Sequence, residues 1–182
     1  MTIEEFRGLL ASREPVPAGV SLAALTASLA LSLFEKVLGI TRHRKDFRGD
    51  PRRVDAWMAE AHALSEKLAR CADDDVAAYR EYMARRKSPE EAAALRKAIE
   101  VPLEAARAAA AGLRMGLDAA AIVPASIKPD LGTAASLLAG AVRGIARSIE
   151  SNVQHVSDPK IADEVRREVR ALVEAADKIG EC

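Results

Sequence analysis

From Pro15 to Phe34 no residue carries a charge. A run of that kind belongs either inside a protein or inside a bilayer, which needs about 20 apolar residues to cross. The segment "PVPAGVSLAALTASLALSLF" opens on two prolines and a glycine and contains Ser21, Thr26, Ser28 and Ser32. Its apolar part therefore has the length of a buried core helix. The preceding "MTIEEFRG" is acidic where a secretory leader would be basic. The reading is a buried helix in a cytoplasmic protein with no membrane partner. Hydrophobic residues make up 49% of the chain but aromatics only 3%. The excess of alanine and leucine suits closely packed helices, because alanine has the best helix propensity and keeps neighbouring backbones close.

Helix signals punctuate the rest. Thr2 and Glu5 form a capping-box pattern for a short helix to about Ser12. A second helix is expected from Ser21 to Arg42. Asp50-Pro51 opens a third, to about Arg86, by supplying an N-cap and a proline at the first helical position. Ser88 with Glu91 repeats the capping box before a fourth helix, and Pro102 inside it predicts a kink. "VPASIKPD" is a loop, and a helix of small residues follows from Leu131 to Gln154. Asp158-Pro159 caps the last helix, whose stripe is Ile161, Val165, Val169, Leu172, Val173, Ala176 and Ile179. No segment alternates with period two. The expected fold is all-α, one domain over 1–182, with six or seven helices, several of them long and one kinked at Pro102.

Lys plus Arg and Asp plus Glu are both 27, so the balance gives no electrostatic pull toward nucleic acid. Cys71 and Cys182 lack ligand spacing and read as free thiols. His43, His62 and His155 have no patterned partners, and no metal site is expected. Phosphate-loop, dinucleotide and nucleophile-elbow motifs are absent. Gly112/Gly116 and Gly140/Gly144 are spaced to let helix backbones approach.

Three places could carry chemistry. The proline-stiffened loop 15–21 fixes N–H groups at a helix N-terminus, which can hold an anion or serve simply as a connection. Asp73, Asp74 and Asp75 spread around a helix, so one carboxylate must turn toward the apolar face marked by Val76, Tyr79 and Met83. A carboxylate placed there has its pKa raised toward neutrality, which suits proton transfer. Asp130 stands at the mouth of the small-residue helix, where it can be an N-cap or a ligand contact.

In order and spacing these pieces resemble the cyclodeaminase/methenyltetrahydrofolate cyclohydrolase family. That is the all-helical domain type of formiminotransferase-cyclodeaminase and its stand-alone relatives. The resemblance runs from about Glu4 to Asp158 and rests on "PVPAGVSLAAL", "DDDVAAYREYM", "VPLEAAR" and "PDLGTAASLLAGA". It implies a helical homodimer acting on a tetrahydrofolate derivative, with no tightly bound cofactor and no metal. Asp75 and Asp130 match its acid/base positions. Gly19, Ser21, Thr41, Lys45 and Asn152 match its substrate-binding positions. There are departures as well. Ala18 and Val20 replace two loop glycines, and Val20 is expected to add bulk where the ligand lies. Gly39 and Ser148 replace asparagines, and Pro129 replaces a serine. The alternative implied by these changes is a helical dimer that kept the fold and lost turnover.

Overall fold

The computed structural model describes residues 2–180, apart from the side chains of residues 179 and 180. The stripe residue Ile179 and the thiol of Cys182 fall outside that description. Six α-helices and one 3-10 turn follow in order: α1 Ile3–Leu10, α2 Gly19–Arg42, α3 Pro51–Arg85, α4 Glu91–Ala119, the turn Ala125–Ile127, α5 Lys128–Val153 and α6 Pro159–Gly180. There is no strand among the described residues.

Helices α2 to α5 form an up-down-up-down bundle. α2 packs between α3 and α5, α4 packs between the same two, and α6 lies against α5 and α4. Short connections force consecutive helices to run antiparallel. The uncharged run is the bundle's main internal surface: Ala24, Ala27, Ala30, Leu31, Phe34 and Leu38 are all essentially inaccessible. α2 has the length and hydropathy of a membrane span; one side of it packs against α3, α4 and α5, while Leu22, Leu29 and Ile40 on its outer side stay exposed.

Caps set most boundaries as expected. Thr2 N donates to Glu5 Oε2 at 2.6 Å and Glu5 N to Thr2 Oγ1 at 3.1 Å, closing the capping box of α1. Arg52 N donates to Asp50 Oδ1 and Lys160 N to Asp158 Oδ1, both at 2.9 Å. Three starts differ from expectation. α2 begins two residues early, at Gly19, with Ala18 as an N-cap that has no side chain to cap with. α4 begins at Glu91. The backbone reverses at Lys87, with φ 62, and Glu91 Oε2 accepts from Lys87 N at 2.7 Å, one residue before the predicted Ser88. α5 begins at Lys128 because the 3-10 turn leads straight into it, which puts Asp130 inside the first turn rather than at the cap.

α4 continues through Pro102 as one helix. Proline has no N–H, so the carbonyl of Ala98, four residues earlier, loses its helical donor. Asn152 on α5 fills that place: its Nδ2 donates to Ala98 O at 2.9 Å. Of the four spaced glycines only Gly112 marks a very close approach. A Cβ there would come 2.6 Å from Leu31 Cδ2, where α4 crosses under α2. Cβ atoms at Gly116 and Gly144 would meet ordinary contacts at 3.8 Å, and one at Gly140 would meet nothing within 4 Å.

Candidate functional site

The buried line of α3 runs Ala61, Ser65, Leu68, Cys71, Ala78 and Tyr82. Steps of three and four place Asp75 on that same line. Of the expected face markers Met83 is 44% exposed, while Tyr82, one residue earlier, turns inward. Asp73 and Asp74 are exposed and Asp75 is half-buried. Burial pushes the Asp75 carboxyl above its ordinary range, and the hydrogen bond from Ser21 partly opposes that shift.

Ser21 lies in the first turn of α2, is 1% exposed and donates from Oγ to Asp75 Oδ2 at 3.1 Å. The early start of α2 creates this pair: Ser21 falls on the α3-facing side together with Ser28 and Ser32, whose hydroxyls meet Ser65. The same shift brings Val20 into the first turn of the helix. That valine is helical and only 5% exposed, with its side chain in the protein interior. Gly19 is exposed and has no left-handed φ; a Cβ there would approach only Ser148 Oγ, at 3.8 Å. The start of α2 thus gathers an uncapped set of N–H groups, a buried hydroxyl, a partly buried acid and the hydroxyl of Ser148. The last position carries one of the departures noted in the sequence.

Asn152 lies one turn beyond Ser148 on α5, at this same end, with Nδ2 donating to Ala98 O; Thr41, Lys45 and Asp130 lie at the other end. The register Gly19–Ser148 and Ala23–Gly144 shows α2 and α5 running antiparallel. Asp130 and Ser148 therefore occupy one line of α5 five turns apart, about 27 Å along the helix. Asp130 is exposed and makes no hydrogen bond or ion pair among the described residues. Thr41 is buried, with Oγ1 donating to Val37 O at 2.8 Å. It lines a cleft of about 360 Å³ with Phe47, Gly49 and the 121–124 turn. Lys45 is exposed in the α2–α3 loop; its neighbours Arg44 and Arg48 line the cleft instead. Sequence spacing did not single out those two arginines. Within one chain the 15–21 loop and Asp130 share no hollow, because the two stand at opposite ends of the bundle. Among the described residues no three or more His, Cys, Asp or Glu side chains gather as a metal-ligand group.

This bundle of helices has the all-helical cyclodeaminase fold. A crystal structure of formiminotetrahydrofolate cyclodeaminase from Thermotoga maritima matches it with a TM-score of 0.88 and 22% identity, covering 100% of this chain and 96% of that one. At that identity the likeness is one of fold. The model of the formiminotransferase-cyclodeaminase family matches residues 2–171, and the chain belongs to that family. No curated protein matches it.

Proposed function

We propose that the chain is a folate-dependent one-carbon enzyme, of the formimidoyltetrahydrofolate cyclodeaminase or methenyltetrahydrofolate cyclohydrolase type. The observation that carries the proposal is the Ser21–Asp75 pair. In the cyclodeaminase reaction a folate nitrogen attacks the neighbouring formimidoyl carbon, the tetrahedral adduct loses its amino group as ammonia, and a methenyl bridge remains. In the hydrolytic reaction water adds to that bridge and one carbon–nitrogen bond breaks to leave the formyl form. Each needs a group that delivers a proton to nitrogen or takes one from water near neutral pH. A half-buried carboxyl with a raised pKa is such a group. Ser21 orients it, and the N–H groups at the start of α2 face developing negative charge or a ring carbonyl. Asn152, one turn beyond Ser148, holds α4 to α5 through its amide nitrogen and keeps Oδ1 as an acceptor for ligand.

The working unit in this reading is a two-fold homodimer. The outward stripe of α2 is apolar: Leu22, Leu29 and Ile40 are 46%, 60% and 41% exposed, and Leu137 of α5 beside it is 41% exposed. Gly132 and Gly140 leave open space along the neighbouring face. An isologous contact here, with its axis across the helices, sets the Ser21 end of one protomer against the Thr41, Lys45 and Asp130 end of its partner. Asp130 then serves the partner's site as its second acid, and Thr41 and Lys45 hold the ligand. The substrate is a tetrahydrofolate derivative, no other cofactor takes part, and the compartment is the cytoplasm.

Loss of the near-ultraviolet absorbance of methenyltetrahydrofolate, or ammonia release from the formimidoyl form, tests this. A rate above buffer that collapses in Asp75→Asn supports it; a rate equal to buffer on both substrates refutes it. A second reading, a dimer that kept the fold without turnover, is favoured by Gly39 and Ser148, each of which removes an amide from the site. It requires no turnover of either substrate while the dimer persists.

A further inference from the structure

A second and larger cleft lies between the first halves of α4 and α6, at the end of the bundle where Asn152 meets Ala98, and shares no lining residue with the Ser21–Asp75 pair. It encloses about 830 Å³, the size of a drug-like ligand site. Its floor is apolar: Leu95, Ile99 and Leu103 belong to the buried core and are 6%, 5% and 2% exposed. Val165 is partly buried and Ile161 is 39% exposed on the α6 side.

One end of this cleft is fixed by Arg107. Its Nε and Nη2 donate to the two carboxylate oxygens of Glu168 at 2.6 and 3.0 Å, and Nη1 donates to Glu100 at 2.6 Å. A bidentate bridge of this kind ties α6 to α4 and holds the width of the opening. The 155–158 turn, with His155 and Asp158, closes the other end.

The rim has a pronounced sign. Five carboxylates line it (Glu91, Glu100, Asp158, Glu164 and Glu168) against two guanidinium groups, Arg96 and Arg107. With His155 neutral the local balance is −5 + 2 = −3, in a chain whose net charge is +0. Glu164 is exposed and has no ion-pair or hydrogen-bond partner among the described residues. An apolar floor under a net-negative rim selects by charge as well as by shape.

We propose that the α4–α6 cleft binds a small organic cation with an apolar body, that is, an amine whose hydrocarbon part rests on Leu95, Ile99 and Val165 while its ammonium faces Glu164. The site is separate from the Ser21–Asp75 pair and does not depend on the folate reading.

The test uses methyl-labelled full-length protein titrated at low salt with three probes of similar size: phenethylamine, phenethyl alcohol and phenylacetate. The amine is expected to shift the methyl signals of Leu95, Ile99, Ile161 and Val165, with a dissociation constant on the order of millimolar. The alcohol should bind several-fold more weakly, and the carboxylate should leave those signals in place. Glu164→Lys should weaken the amine about 2- to 5-fold, and Arg96→Glu should tighten it by a similar factor. Both positions are on the surface, so both variants should fold. Equal shifts by the amine and the carboxylate would overturn the proposal, as would shifts scattered over the surface. Self-association through this cleft, seen as a sedimentation change in Glu164→Lys, would overturn it too.

Discussion

Removing the Asn152 amide should destabilise the protein, and should do so only while residue 102 is proline. In Asn152→Ala the carbonyl of Ala98 loses its 2.9 Å donor and has no helical replacement. Ala98 is 6% exposed, so water does not readily reach it. A buried acceptor left without a partner costs about 1–3 kcal/mol. For a chain of 182 residues that corresponds to roughly 2–12 °C in Tm. In the Pro102→Ala background the new N–H at 102 can donate to Ala98 O as in any helix. There the same Asn152→Ala change should cost no more than about 0.5 kcal/mol. Thermal unfolding of the four proteins gives the coupling directly, expected at about 1–2 kcal/mol. A cost that is the same in both backgrounds would refute the assignment of Asn152 to the gap left by proline.

Other predictions concern packing, titration and assembly. Gly112→Ala drives a methyl to 2.6 Å from the fully buried Leu31 and should destabilise by about 1–3 kcal/mol. Gly116→Ala, where the contact is an ordinary 3.8 Å, should be neutral or stabilising by roughly 0.5–1 kcal/mol; calorimetry separates the two. Asp75 binds its proton more tightly in the folded chain than in the unfolded one. Stability it allows at low pH is therefore lost as pH rises from its ordinary value of 3.8 through its raised folded value. Asp75→Asn does not titrate and still offers Oδ1 to Ser21. It should melt higher than the parent at neutral pH, and the gap should close below pH 3.8. A variant that melts lower at neutral pH would contradict the burial argument. Leu29→Lys places a charge on the 60% exposed centre of the α2 stripe and should give monomers in sedimentation with the helical signal intact.

The helix count and most boundaries were legible because they rest on local chemistry: Thr2, Asp50 and Asp158 all cap where their side chains reach backbone N–H groups. The start of α2 was misplaced because Ser21 resembles a cap. The structure spends that hydroxyl on Asp75, fifty-four residues away, and no local rule reports such a pairing. Which aspartate turns inward could have been read by continuing the three-four spacing from Ala61 through Ser65, Leu68 and Cys71, which lands on Asp75. Taking Val76, Tyr79 and Met83 as the face followed hydrophobicity rather than register. The separation of Asp130 from the loop was invisible in the sequence, because it depends on α2 and α5 lying side by side and antiparallel. Asn152 resembled a ligand residue, and one of its donors is committed to the fold by a proline fifty residues before it.

Mixed dimers test the central claim most directly. Asp75→Asn and Asp130→Asn homodimers should each lose about 10²- to 10⁴-fold in folate turnover, as expected for a missing acid/base group. If one protomer's Asp75 works with its partner's Asp130, each heterodimer carries one intact site. Co-refolding the two variants in equal amounts should then restore about a quarter of the parent rate. Recovery to that level is what the account requires. No recovery, with heterodimers demonstrably present, would contradict a site built from opposite ends of two chains.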